Sequence, residues 1–91
     1  MMKNKVYVLY IEDCFGGEQH FDVALFDTRE KAQEYLKFLK NEFYKDNDMK
    51  DRMIDANTED EFDCYLQGWY SSDRYVLYII EREINWYDLF R

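Results

Sequence analysis

An α+β fold is the architecture this 91-residue chain predicts: a small antiparallel or mixed sheet of about three strands with helices packed on one face. Three observations carry it. Residues 5–11 and 75–80 are β-branched and aromatic, and so apolar on both faces. A helical apolar stripe runs from Ala32 to Phe43. Glycine, at positions 16, 17 and 68, is the only strong backbone punctuation in a chain without proline. The length makes residues 1–91 a single domain, near the lower end of what folds alone.

The first strand reads Lys-Val-Tyr-Val-Leu-Tyr-Ile over residues 5–11. Its pattern is that of a central strand covered on two sides, or covered on one and paired with a partner on the other. Cys14-Phe15-Gly16-Gly17-Glu18 supplies a turn in which either glycine takes positive φ without strain. Residues 20–27 then alternate, with Phe21, Val23 and Leu25 on one face and Asp22 and Ala24 on the other. A β-hairpin over residues 5–27 follows.

Thr28 or Asp27 is placed to cap a helix, with Glu30 in the first turn, where a carboxylate meets the positive end of the helix dipole. Ala32, Leu36, Leu39 and Phe43 recur at spacings of four, three and four, and Tyr35 and Phe38 widen the stripe. Lys31, Glu34, Lys37 and Lys40 line the opposite side. A helix of about 16 residues is about 24 Å long, enough to cover a small sheet. Asp48 is placed to cap a short helix carrying Met49 and Met53. Thr58-Glu59-Asp60-Glu61 fits a capping box, and Phe62, Tyr65, Leu66 and Trp69 follow at helical spacing, with Gly68 near the helix end. The rival reading is a strand with Phe62, Cys64 and Leu66 on one face; the agreement of cap and period favours the helix. A second strong strand, residues 74–84, ends in Glu81-Arg82-Glu83, and Asn85 is placed to cap a last helical turn bearing Trp86, Leu89 and Phe90. The expected order is β-β-α-(α)-(α)-β-(α).

Composition narrows function mainly by exclusion. Charged residues make up 35% of the chain, and no apolar run approaches the roughly 20 residues that a membrane-crossing helix needs. Met1-Met2-Lys3-Asn4-Lys5 leads straight into a strand-like run without a signal-peptide pattern. Cys14 and Cys64 do not make a disulfide framework, so the expectation is a cytoplasmic protein with both thiols reduced, although a single disulfide stays open. No base or cationic group adjoins either cysteine, and both read as buried small hydrophobes rather than nucleophiles.

His20 is the only histidine, which leaves Ser-His or Cys-His catalysis and multi-histidine metal sites incomplete. Asp46-Asn47-Asp48 with Asp51 resembles the start of a calcium loop. The match fails at Lys50, where an oxygen ligand belongs, at Asp51, which replaces the turn glycine, and at Asn57, where the bidentate Glu should stand. Gly16-Gly17 precedes no helix and cannot cradle phosphate. No catalytic residue, cofactor or metal is therefore expected.

What remains is charge and aromatics. The chain carries a net charge of −8, and residues 46–63 hold eight acidic residues against Lys50 and Arg52. A surface of that kind repels nucleic acid and lipid headgroups and attracts cations. Nine Tyr, seven Phe and two Trp exceed what a small core fully buries, which suggests an interface, to itself or to another protein. The expected contact set is Asp46, Asp48, Asp51, Asp55, Glu59, Asp60, Glu61 and Asp63, flanked by Tyr65, Trp69 and Tyr70. The expected partner is a basic protein surface such as that of a nucleic-acid-binding enzyme. A homodimer built on an aromatic face or an exposed strand is the alternative.

In size, charge and composition the chain resembles the nucleic-acid-mimic inhibitors encoded by phages, anti-CRISPR proteins among them. That resemblance implies an inhibitor working in the host cytoplasm, docked on the Lys/Arg groove of a host-defence nuclease, with affinity that falls as salt rises. A more local likeness rests on Lys5-Val6-Tyr7-Val8-Leu9-Tyr10, Phe26-Asp27-Thr28-Arg29-Glu30-Lys31-Ala32 and Arg74-Tyr75-Val76-Leu77-Tyr78. These are similar to short uncharacterised bacterial and phage proteins with a β-β-α-β core, which implies a fold and no activity.

Overall fold

The computed structural model describes residues 3–69 and 72–85 and begins with two strands, β1 (Lys3–Phe15) and β2 (Glu18–Phe26). Phe15 pairs with Glu18 across a two-residue turn. Gly16 and Gly17 both hold positive φ, at 58° and 87°, the conformation a tight hairpin with right-handed twist requires. The first helix, α1 (Arg29–Asp46), starts where expected. Thr28 is the N-cap, with φ −133° and ψ 152°, and its hydroxyl accepts a hydrogen bond from the Lys31 amide at 3.2 Å. Ala32, Leu36 and Phe43 are buried along its stripe.

Beyond α1 the expected architecture is corrected. Two strands, β3 (Arg52–Asn57) and β4 (Glu61–Leu66), stand where two short helices were expected, and β5 (Asp73–Asn85) follows. Among the described residues the fold is a five-stranded antiparallel sheet in the order β2-β1-β5-β4-β3 with one helix, mostly β rather than a three-stranded α+β arrangement. The residues of the supposed capping box explain the error. The Thr58 amide donates to the Glu61 carbonyl at 2.8 Å, and the Thr58 hydroxyl accepts from the Asp60 amide at 3.2 Å. Ser and Thr hydroxyls close turns by the same local bonding that caps helices, and here the product is the β3–β4 hairpin. Phe62 and Cys64 are fully buried on one face of β4, which is the strand reading of that segment. Asn85 is the last residue of β5, paired with Lys3; the helical turn expected after it, and Tyr70, lie outside the described residues.

Residue pairing fixes what each face of the sheet carries. Directly opposed residues in an antiparallel sheet point the same way. One face collects Leu9, Leu77, Ile79, Phe62 and Cys64, which pack with Ala32, Leu36 and Phe43 of α1 into the core. Tyr7, Ile11, Ala24, Phe26 and Tyr75 border it. Phe43 stacks on Tyr75 at 4.7 Å between ring centroids and meets Phe62 edge-on at 5.9 Å. Burial of each such side chain contributes about 1.5–3 kcal/mol. Among the described residues there is one helix and it packs on this face; on the other face Val8, Cys14 and Val76 are nonetheless buried, at 8%, 8% and 9% exposure.

Candidate functional site

The eight carboxylates of residues 46–63 do not form one continuous surface. Asp46, Asp48 and Asp51 are exposed where α1 passes into β3, and the Asp48 side chain accepts from the Lys50 amide at 3.0 Å. Glu59 and Asp60 stand at the far tip of the β3–β4 hairpin, roughly 20 Å away along a six-residue strand. Asp55 is the extra residue of a bulge in β3 and is exposed on that edge.

Two of the eight are neutralised within the protein. Asp60 pairs with the Arg29 guanidinium at 3.0 Å and accepts from Gln33 at 2.8 Å. Asp63 is buried and forms a two-pronged pair with Arg74, the Nε branch at 2.9 Å. Glu61 begins β4 opposite Tyr78, and Tyr65 is half-buried opposite Arg74. Trp69 is exposed in the β4–β5 turn, at the same end of the sheet as Asp51, whose carbonyl accepts from the Gln67 amide.

What the fold does gather is a more local acidic end. Asp13, Glu42 and Asp46 line one hollow of about 340 Å³ with Leu39, Phe43 and Tyr75, close to the C-terminus of α1. Burial pushes the Asp13 carboxyl above its ordinary range, helped by the charge of Asp73 and opposed by His20. Burial and the Asp13 charge also push the Tyr75 phenol up to about 12. Among the described residues, no group of His, Cys, Asp and Glu is arranged to hold a metal ion. Cys14 and Cys64 are both free and point from opposite faces of the sheet, which closes the question of a disulfide between them. Burial raises the Cys64 thiol, against the opposing charge of Arg52. No described helix is long and apolar enough to cross a membrane.

The larger feature is the face of the sheet that α1 leaves open. Register places Phe21, Val23 and Leu25 of β2 beside Glu12, Tyr10 and Val8 of β1, and these beside Val76, Tyr78 and Ile80 of β5. Phe21 is 68% exposed, Val23 54% and Leu25 64%. The exposed apolar surface is therefore concentrated on β2, since Val8 and Val76 are buried and Tyr10, Tyr78 and Ile80 are half-buried. Single exposed apolar side chains are ordinary, whereas a row of them is the kind of surface that suits a contact. Tyr10 and Tyr78 stack at 4.9 Å in its centre, and burial together with Glu12 and Tyr10 pushes the Tyr78 phenol up. Comparison with family models, curated proteins and solved structures gives no match for the chain.

Phe21, Val23, Leu25, Tyr10 and Ile80 were absent from the expected contact set. The signal that finds them is arithmetic on faces. Two strands apolar on both sides need two covering layers, and the clear helical period in this sequence supplies one.

Proposed function

We propose that the chain is a protein-binding module that works through the open face of its sheet. The observation that carries this reading is the exposed apolar row Phe21-Val23-Leu25 on β2, bordered by half-buried Tyr10, Tyr78 and Ile80 and by buried Val8. Leaving such a surface in water forgoes about 25 cal/mol for every Å² that a partner could cover. Aromatic side chains centred in the patch are the type that dominates binding energy. The test is oxidative footprinting of the protein alone at low concentration and again inside the complexes it forms in a lysate. Protection of Phe21, Leu25 and Tyr78 in the complexes is expected. Protection confined to Met49, Trp69 and their surroundings would move the contact surface elsewhere.

A second reading keeps the acidic docking surface in a reduced form. Its support is the cluster of Asp46, Asp48 and Asp51 beside the Asp13–Glu42 hollow, with exposed Trp69 at the same end and a net charge of −8. A basic partner, such as a nucleic-acid-binding enzyme that the protein would inhibit, would be steered to this end, with binding that weakens steeply as salt rises. Charge reversal at Asp46, Asp48 and Asp51 tests it without touching the internal pairs of Asp60 and Asp63. Binding insensitive to that reversal would remove the second reading.

A further inference from the structure

We infer that the partner for the open face is a second copy of this chain, stacked sheet on sheet about a two-fold axis that crosses the strands. This rests on the reading above, that the face is a contact surface, and adds its occupant.

The argument is one of charge placement. Along β1 the face carries Glu12, Tyr10, Val8 and Val6 in sequence, and along β5 the opposed positions are Val76, Tyr78, Ile80 and Arg82. Glu12 thus stands at one end of the apolar rows, where the neighbouring Arg74 is already taken up by Asp63, and Arg82 at the other. Among the described residues, neither Glu12 nor Arg82 has an ion-pair partner within its own chain. A two-fold axis between the Tyr10–Tyr78 row and the Val8–Ile80 row exchanges those two rows. It sets Arg82 of one copy over Val76 of the other, one strand spacing from Glu12, within the reach of an arginine side chain. The contact is made twice, because a two-fold interface is isologous. An axis along the strands would instead hold Arg82 over Val6 and away from Glu12, so the charges select the first arrangement.

Size agrees. Strands spaced about 4.8 Å apart and same-face residues about 6.7 Å apart give a footprint on the order of 500 Å² in projection. Its accessible part comes mainly from Phe21, Val23, Leu25 and the half-buried rings beside them, Val8 and Val76 being only 8% and 9% exposed. That puts it at the small end of interfaces that hold two chains together. Stacked sheets lie about 10 Å apart with interdigitated side chains, and exposed Phe21, Val23 and Leu25 provide the relief on one flank. The Tyr10–Tyr78 stack would then lie near the axis, on the partner's Val8 and Ile80.

Sedimentation equilibrium on the purified chain across a micromolar concentration series tests this, with circular dichroism confirming that each variant is folded. The parent chain should be a dimer. Leu25→Lys should make it a monomer, and Arg82→Glu should weaken the dimer about tenfold or more. Combining Arg82→Glu with Glu12→Arg should restore most of the loss, a rescue that a general disturbance of β5 would not give. A parent chain that stays monomeric throughout overturns the second copy as occupant, while footprinting against other proteins still stands as the test of the contact surface. A dimer indifferent to Arg82→Glu also overturns the stacked arrangement and points to pairing through the free edge of β2.

Discussion

The two faces of this sheet are built from the same strands and the same kinds of residue, yet among the described residues only one carries a helix. On the covered face, Leu9, Leu36, Phe62 and Leu77 are essentially without solvent contact. On the open face, Phe21, Val23 and Leu25 keep more than half of their surface in water. The difference comes from layer count and not from residue choice. One 18-residue helix reaches across one side of five strands. The first face holds the helix and most of the core, and the proposed contact surface lies on the second.

The sharpest way to break the comparison is to remove one aromatic ring from each side. Phe62 meets the rings of Phe43, Tyr44 and Tyr75 at 5.9, 5.7 and 6.4 Å. Phe62→Ala should cost about 3–5 kcal/mol, the transfer and cavity cost of a buried phenylalanine. Phe21→Ala, in dilute protein, should change stability by no more than about 0.5 kcal/mol. Urea unfolding measures both. Equal losses would mean that the open face contributes to the monomer as the covered one does. At high concentration the Phe21 variant should also lose whatever stability association adds.

A smaller effect separates the ionic groups of the two sides. Arg52 is nearly buried at the edge of the covered face. It pairs with Asp73 at 2.9 Å, donates to Asn47 at 3.3 Å and lies over the Phe43 ring at 5.2 Å. Replacing it with Leu strands the Asp73 carboxylate, and a loss of about 3 kcal/mol is expected. Arg52→Leu with Asp73→Asn should recover part of it, because the uncompensated charge is then gone. Arg82 on the open side is exposed, and Arg82→Leu should leave the monomer's unfolding midpoint unchanged. A midpoint drop at Arg82 as large as that at Arg52 would contradict the contrast.

Legibility in the sequence follows the same division. The β1–β2 hairpin, its glycine turn, the Thr28 cap and the period of α1 could all be read, because each is local: a turn, a cap or a stripe within a few residues. The β3–β4 hairpin was missed because Thr58, Asp60 and Glu61 offer local bonds that serve a helix start or a tight turn equally well. What decides is the long-range pairing of Phe62 with Leu77 and of Cys64 with Tyr75. Local propensity carries no information about that pairing. The acidic surface was over-read for a related reason. Asp60 and Asp63 are adjacent in sequence to exposed carboxylates, but their partners, Arg29 and Arg74, are 31 and 11 residues away. The apolar pattern of β1 left two readings open, covered on both sides or covered on one and paired with a partner on the other, and the proposed contact surface takes up the second.

The smallest expected effect lies at the boundary of the covered face, where α1 ends and Asp13 extends past it. One carboxyl oxygen of Asp13 is buried without a hydrogen-bond partner among the described residues. His20 and Tyr75 oppose it on the neighbouring strands, and Glu42 and Asp46 share its hollow from α1. Burial, the first cause, and the charge of Asp73 raise its pKa above the ordinary 3.8, while His20 pulls the other way. The native state therefore holds this proton more tightly than the unfolded chain does. Protonation favours folding, and the stabilisation present below about pH 3.8 is lost as pH rises through the elevated native value. Asp13→Asn removes the charge at nearly constant shape and gives up no hydrogen bond that the buried oxygen accepts. Its urea midpoint should exceed that of the parent at pH 7, and the advantage should shrink as the pH is lowered toward 4. A lower midpoint at pH 7, or an advantage that grows on acidification, would mean that the carboxylate is held by attraction and not merely tolerated at the rim of the core.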